Sequence, residues 1–449
     1  MSSDTLQWHV ANLRDNDGLA FVVAIIGAIA LLVLFAELSV RARRKQRLID
    51  DIPTCKTAGV FIGLVEIKGT AEAEQPLTSF LAERDCVYYS YSVSEQWRRM
   101  VTETYTDSNG KTRTRTRMKT GWDVVDHDSS SITFYLQDDT GLLQIKPRGA
   151  DIEGDSIFRR TCTIGDPLYY GKGPSSSVYG STGTRMFTEE GIALHRKIYV
   201  MGSSQLREDV VAPEIAKDPQ APMFLISVKS EEQKSSDYQL RFWGWFIFGL
   251  ILFTGIPVGI AANRDMEIPW GASLLGGLIF FGYWSARWIV MVYNSLLALR
   301  NRVEQAWKNV DVQLKRRHDL IPQLVEVVQG YQQHEVDLLE HVTNLRTEAQ
   351  VAIGDTATAC TPTLMALKEA YPDLKANTVF DKLQQELIRT EQKIALARSY
   401  YNDIVEENNE RVERIPDRFF KGLAKMRRRK YYEARNFERA PIKVDLVNS

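Results

Sequence analysis

GYWSARWIVMVYNSLLALRNRVEQAWKNVDVQLKRRHDLIP, residues 282–322, decides the reading of the C-terminal half of this chain. Its first part is aromatic and apolar, and closes a run over 268–292 that is long enough to cross a bilayer as a helix. Its second part repeats apolar residues at helical spacing: Leu296, Leu299, Val303, Ala306, Trp307, Val310 and Leu314. No turn signal lies between the two parts. The sequence therefore predicts a helix that rises from a membrane and continues without a break as an amphipathic helix, kinked or restarted at Pro322.

Downstream, the pattern resumes at Leu324, Val327, Val328, Tyr331, Leu338, Val342 and Leu345. Residues 354–374, rich in Thr and Ala, read as a loop or short-helix section. A further amphipathic helix fits 378–412, with Phe380, Leu383, Leu387, Ile394, Ala397, Tyr401, Ile404 and Val405 on its apolar stripe. Long helices joined by short connections predict an antiparallel all-α bundle over 293–440.

Upstream, two more stretches are apolar enough to span. Residues 19–36 are wholly apolar or glycine, about 27 Å as a helix. A cleaved signal peptide carries its basic residues before the apolar core, whereas here Arg41, Arg43, Arg44, Lys45 and Arg47 follow it, so an uncleaved anchor is expected. Residues 242–262 open with Phe-Trp-Gly-Trp-Phe, and a short polar link (263–267) joins them to the 268–292 run as a hairpin. Lys and Arg gather at one end of all three spans. That asymmetry places the short N-terminus (1–18) outside and both large segments in the cytoplasm. Arg287 is read as a snorkelling side chain. Gly255 with Gly259, and Ser273 with Gly277, offer small-residue steps for close helix contact, and Pro257 a kink.

The formal net charge of −1 over 449 residues gives no overall pull toward nucleic acid or an anionic surface. Cys55, Cys86, Cys162 and Cys360 lie far apart with no CxxC pair, which excludes a zinc ribbon, a RING site or a disulfide framework.

After a basic juxtamembrane segment (37–50), residues 51–230 alternate short apolar runs with turn residues, the pattern of a strand-rich domain. Strands are expected at 59–67, 86–93, 132–136, 142–146, 197–201 and 224–228. Asn109-Gly110 is a hairpin turn signal between arms near 95–105 and 111–118. In the second arm Lys111, Arg113, Arg115 and Arg117 alternate with threonines, which places every cation on one face of a strand. That face suits lipid headgroups, nucleic acid or an acidic partner. It equally suits a charged edge that blocks aggregation, the preferred reading because interleaved aromatics are absent. Residues 171–185, GKGPSSSVYGSTGTR, lack phosphate-loop order and are read as a mobile loop.

GLVEIKGTAEAEQPLTSFLAERDCVYYSYSV, FYLQDDTGLLQIKPRGADI, KIYVMGSSQL and PMFLISVKSEE resemble the GIDE-type, or beside-a-membrane, domain over nearly all of 57–230. That family includes a membrane-bound ubiquitin ligase. The ligase activity does not carry over, because this chain has no Cys/His RING pattern; the resemblance implies a membrane-proximal β-rich module that binds a protein partner. YNSLLALRNRVEQAWKNVDVQLKRRHDLIPQLVEVVQGYQQHE and YPDLKANTVFDKLQQELIRTEQKIALARSYYNDIVEENN are similar to the two signatures of the LemA family, which implies a bacterial membrane protein with a cytoplasmic helical bundle and an association with membrane shaping and envelope stress.

No catalytic constellation stands out. His334, Asp337 and His341 could share one helix face, but neither the paired Glu-x-x-His of ferritin-like sites nor His-Glu-x-x-His occurs, so no metal or other cofactor is expected. His318, Asp319, Arg398, Tyr401 and Asn402 are expected to point inward as a hydrogen-bonded network that fixes bundle register. KMRRRK, 425–430, is read as a solvated helix end, or as a contact to anionic lipid. The expectation is a multidomain membrane protein with three transmembrane helices, a β-rich cytoplasmic domain and a helical bundle. It is expected to be non-enzymatic: a scaffold of the bacterial cytoplasmic membrane that self-associates, contacts lipid and does not bind nucleic acid. The competing class is an adaptor acting with a protease in quality control, or a cryptic metal-dependent enzyme.

Overall fold

The computed structural model describes residues 3–106, 112–207, 209–210, 212–263, 270–329 and 378–432. They fall into two compact units. One comprises Met1–Ile52, Glu231–Val310 and Tyr401–Ala434; the other comprises Pro53–Ser230, Asp311–Tyr400 and Arg435–Ser449.

Alternating apolar residues build the strand-rich unit. Strands β1 (Thr54–Cys55), β2 (Gly63–Glu72), β6 (Phe134–Gln137), β7 (Leu142–Ile145), β8 (Asp151–Glu153), β11 (Lys197–Leu206), β12 (Pro213–Ala216) and β13 (Leu225–Ser227) form one sheet. Within it β2 pairs β6, β6 pairs β7, β7 pairs β12, β12 pairs β11, and β11 returns to β2, so five strands close a ring. Ring closure leaves these strands no open edge. Val65, Ile67, Leu136, Ile145, Val200 and Ile215 are fully buried in it. Gly69 is a fixed point, because a Cβ there would lie 2.3 Å from the Gln137 carbonyl oxygen.

The second sheet has the order β3 (Leu77–Thr78), β4 (Asp85–Thr106), β10 (Ser181–Ala193), β9 (Asp155–Thr163), with β5 (Thr112–Ser131) also on β4. Leu81, Val93, Cys162, Tyr169 and Phe187 form its core. The pairing of β10 with β4 ends at Ser181↔Trp97, whereas β4 and β5 stay paired to Thr106↔Thr112. Gly180 and Tyr179 still accept from the Arg98 N–H and the Arg99 side chain, each at 2.8 Å, and beyond Arg99 β4 and β5 run on as a two-stranded ribbon. The expected hairpin arms are present; its Asn109-Gly110 turn lies outside the described residues. Each other expected strand also matches an observed one within a few residues, except that the first begins at Gly63, after a 3-10 turn at Thr57–Gly59.

The expectation of a mobile loop at 171–185 is corrected. A short helix α2 (Pro167–Gly171), capped by the Asp166 side chain, precedes it, and β10 begins at Ser181. The buried guanidinium of Arg185 holds the intervening backbone through the Tyr169, Pro174 and Ser176 carbonyls, each at 2.7 Å.

Four longer helices make up most of the remainder: α1 (Ser3–Asp50), α3 (Glu231–Asn263), α4 (Trp270–Gln329) and α5 (Thr378–Glu413), followed by the short α6 (Asp417–Phe420). The apolar run and the amphipathic stripe of the opening sequence are one 60-residue helix, α4. It passes through Pro322 without restarting, so of the two expectations there, kink or restart, the restart is corrected. Helices α3 and α4 are each long and apolar enough to cross a membrane. The third expected span, 19–36, lies in α1, where Ile26, Ile29 and Leu34 are exposed apolar residues.

Gly249 lets α1, α3 and α4 approach, because a Cβ there would meet the Phe280 ring at 2.4 Å and the Phe35 Cβ at 3.2 Å. Phe280 is fully buried and stacks on Phe253 at 5.5 Å. Gly277 abuts Thr254, as its small-residue step implied, whereas a Cβ at Gly255 or Gly259 would meet nothing within 4 Å among the described residues. Ser39 of α1 donates to the Phe242 carbonyl of α3 at 2.9 Å and accepts from the Trp284 indole of α4 at 3.1 Å. Arg287 does not simply snorkel: it pairs with Glu37 of α1.

Candidate functional site

Helix α1 ends in a polar stretch, Arg43-Arg44-Lys45-Gln46-Arg47-Leu48-Ile49-Asp50-Asp51, that a free surface helix would leave solvated. Here it is largely enclosed. Arg47 and Asp51 lie one helical turn apart on the same face, and both are 2 % exposed. The last turns of α5 and the start of α6 bring in their counter-charges. Arg47 donates to Asp417 at 2.7 Å, and Arg411 to Asp51 at 2.5 Å, to Glu407 at 2.8 Å and to Asp417 at 3.3 Å. Ser295 of α4 donates to Asp51 at 3.3 Å. Asp417 is fully buried. Four helices thus meet at one closed ion cluster.

Burial of such charges is costly unless each is paired, and the cluster supplies those pairs. Burial opposes the charge on Arg411, but the Asp51, Glu407 and Asp417 carboxylates outweigh it and hold its pKa above the ordinary arginine value. Burial pushes the Glu407 carboxyl up to about 7, with Asp51 and Glu410 adding to it and Arg411 opposing. At the rim, burial raises the Asp50 carboxyl while a hydrogen bond from Ser235 of α3 opposes it.

Past α6 the chain does not continue as a helix, so the reading of 425–430 as a helix end is corrected. Asparagines on α5 hold it extended, and two of them each bond the main chain of one strap residue on both donor and acceptor sides. Asn402 donates to the Tyr432 carbonyl at 3.2 Å and accepts its N–H at 2.7 Å; Asn409 does the same with Arg429 at 3.0 and 2.8 Å. Asn408 donates to the Arg427 carbonyl at 3.0 Å, and the Tyr401 hydroxyl to the Lys430 carbonyl at 3.3 Å. From α4, Arg300 donates to the Ala424 carbonyl at 3.0 Å, and Trp307 lies edge-on to Tyr401 at 5.1 Å. Residues 424–432 form a strap over α4 and α5, with Ala424 and Met426 buried and the basic side chains outward.

The five residues expected to form an inward network therefore separate. Tyr401 and Asn402 hold the strap. Arg398 acts on the Glu391 carboxyl, whose pKa burial raises while Arg317 and Arg398 oppose it. His318 and Asp319 point outward, their side chains 56 and 59 % exposed. His334, Asp337 and His341 lie outside the described residues.

Arg113, Arg115 and Arg117 are exposed on the ribbon, as the alternation implied. Their cross-strand partners are Tyr105, Glu103 and Val101, and Lys119 opposite Arg99 extends the cationic face and pairs with Glu103. Arg99 lies over the Trp97 ring at 4.5 Å and the Tyr179 ring at 5.8 Å. Aromatics absent from the 111–118 arm are thus supplied by β4 and by the loop before β10.

Deep in the same sheet, Arg185 and Glu95 are both fully buried and paired at 3.0 Å, with Tyr169 donating to Glu95 at 3.0 Å. The carboxyl also accepts from Ser181, and the net effect of these bonds and Arg185 overcomes the cost of burial and lowers its pKa. Among the described residues no group of three His, Cys, Asp or Glu side chains is placed to hold a metal ion.

A LemA family model matches residues 306–446, across the second half of α4, all of α5 and the strap. A GIDE model, described as E3 Ubiquitin ligase, matches residues 102–260, from the ribbon through most of α3. The chain is a GIDE-type domain fused to a LemA-family region. No curated protein and no solved structure gives a match. The LemA-family region contributes Arg411, Asp417, Glu407 and the asparagines, while Arg47 and Asp51 precede both matched segments. The GIDE match reaches into α3, so it takes in an apolar helix as well as strands. Neither the ion cluster nor the strap was foreseen from sequence; Asn402, Asn408 and Asn409, at i, i+6 and i+7 on one helix, were the available signal.

Proposed function

We propose that this chain is a non-enzymatic scaffold of the bacterial cytoplasmic membrane, anchored by α1, α3 and α4 with its N-terminus outside and both large modules in the cytoplasm. It self-associates, and organises or shapes the membrane, while the GIDE-type domain recruits a protein partner. The observation that carries this reading is the closed ion cluster. It ties the end of an apolar-anchored helix to α4 at Ser295 and to residues 407–417 of the LemA-family region, an arrangement that fixes position and presents no open reacting site. Its carboxylates and guanidiniums are engaged with one another, and they serve as fasteners.

The test is the mass of the full chain in native lipid discs, with bound proteins and metals identified in the same sample. The scaffold predicts a defined homo-oligomer without stoichiometric metal. A monomer that carries metal, or that co-purifies with a protease, overturns it in favour of the quality-control or enzymatic class.

A further inference from the structure

The turn from α5 through α6 into the strap exposes three large apolar side chains at four-residue spacing: Ile415, Phe419 and Leu423, at 68, 71 and 70 %. Backbone bonds from Arg418 to Arg414, Lys421 to Asp417 and Ala424 to Phe420 keep this stretch coiled, so residues four apart share a face. Buried neighbours are not what the face lacks, since Asp417 and Ala424 of the same turn are enclosed. Arg418, Lys421 and Lys425 are interspersed with the apolar trio and make no ion pair among the described residues. The strap then exposes Arg427, Arg428, Arg429 and Lys430, of which Arg428 pairs with Glu413 at 3.1 Å and Arg429 with Glu304 at 3.5 Å.

Apolar side chains rimmed by cations on one short surface are the chemistry of an interfacial anchor on anionic lipid. The anchoring of α6 places it near such a surface. Asp417 is bonded to Arg47, eight residues along α1 from Ser39. Those eight residues span about 12 Å. Ser39 itself is bonded to Phe242 and Trp284, within the aromatic cluster of Phe242, Trp243, Phe246, Trp284 and Trp288 on α3 and α4. Such clusters mark the headgroup level.

We propose that the corner 414–430 docks on the anionic headgroups of the bilayer that the apolar helices cross, with Ile415, Phe419 and Leu423 inserted and the basic residues on phosphate. This deepens the scaffold reading and rests on its membrane anchoring. It adds a fourth, monotopic contact made by the LemA-family region itself, and a preference for anionic lipid.

The experiment uses the full chain in lipid discs, with an environment-sensitive nitrobenzoxadiazole label at Phe419→Cys or at Leu275→Cys, read against the labelled wild-type chain. Leu275 is an exposed apolar residue of α4. The expected result is a blue-shifted emission, quenched by spin-labelled lipid, at both positions in discs containing phosphatidylglycerol. At Phe419→Cys alone the signal weakens in phosphatidylcholine discs. The triple variant Arg418→Gln/Lys421→Gln/Lys425→Gln lowers lipid partition of the corner by about a hundredfold and returns the label to its aqueous emission. Quenching at Leu275→Cys with aqueous emission at Phe419→Cys overturns the docking alone. Aqueous emission at both positions overturns the membrane reading beneath it. A blue shift at Phe419→Cys that appears in detergent and grows with protein concentration also overturns the docking, by showing that a second copy covers the face.

Discussion

Arg411 and Asp51 lie 360 residues apart in the chain, yet their side chains meet at 2.5 Å with each only 3 % exposed. The pair belongs to a cluster with Arg47, Asp417 and Glu407 in which every member touches an opposite charge. Such clusters respond asymmetrically to substitution, because removing one partner strands another.

Arg411→Met is expected to destabilise the fold by about 3–5 kcal/mol, because it leaves Asp51 and part of Asp417 buried without their cation. Replacing Arg47, Asp51, Arg411 and Asp417 together by Met and Leu should cost far less, within about 1–2 kcal/mol of the parent. Thermal unfolding of both variants in detergent checks this. Equal destabilisation would show that packing, and not charge pairing, holds the junction.

Glu407 gives the junction a pH dependence of definite sign. Burial lifts its carboxyl to about 7 from the ordinary 4.5, so the folded state keeps a proton that the unfolded chain releases. Stability therefore falls as pH rises from about 4.5 to 7, by about 2–3 kcal/mol, and levels off above. Glu407→Gln, which can still accept from Arg411, should flatten that slope and raise the melting temperature at pH 8. An unchanged slope would assign the titration to another group.

The asparagine ladder predicts a protease phenotype. Asn402→Ala/Asn409→Ala removes four hydrogen bonds to the strap. At about 1 kcal/mol net for each side chain, trypsin cleavage within 427–430 should rise about thirtyfold while global unfolding shifts little. Unaltered cleavage would mean that Trp307, Arg300 and the buried Met426 hold the strap unaided.

Arg185→Lys is expected to destabilise the strand-rich domain by about 3 kcal/mol and to expose residues 172–180 to hydrogen exchange, because an ammonium cannot serve the five acceptor contacts that the guanidinium fork makes. Protection of that segment equal to the parent would contradict it.

What could be read from the sequence depended on range. The β4–β5 hairpin carries its own signal, a turn dipeptide between alternating arms, and the arms pair from Tyr88↔Ser131 to Thr106↔Thr112 with a register shift between Val93 and Ser94 that the sequence pattern does not show. Helices α4 and α5 announce themselves by period. The ion cluster has no local signal at all: Arg47 and Asp51 look like the basic flank of an anchor, and Arg411 like one more charge on a polar helix. Residues 171–185 mislead for the opposite reason. Their Gly and Ser content describes a loop correctly, but the buried Arg185 that holds it lies across the sheet from its partner Glu95, ninety residues earlier. The strap misled similarly, since a run of Lys, Met and Arg favours helix by propensity and the side chains that hold it extended belong to α5.

The cluster also sets an order of completion. Arg47 and Asp51 leave the ribosome well before Arg411, which follows Asp51 by 360 residues, and Asp417. Until they arrive, the end of the first helix carries charges it cannot enclose, and the surfaces meant to cover them stay apart. A copy that stops before Arg411 can complete its strands and thread its apolar helices, yet it remains hydrated where the finished chain is dry. Whatever inspects new chains for unfinished work would find the difference there.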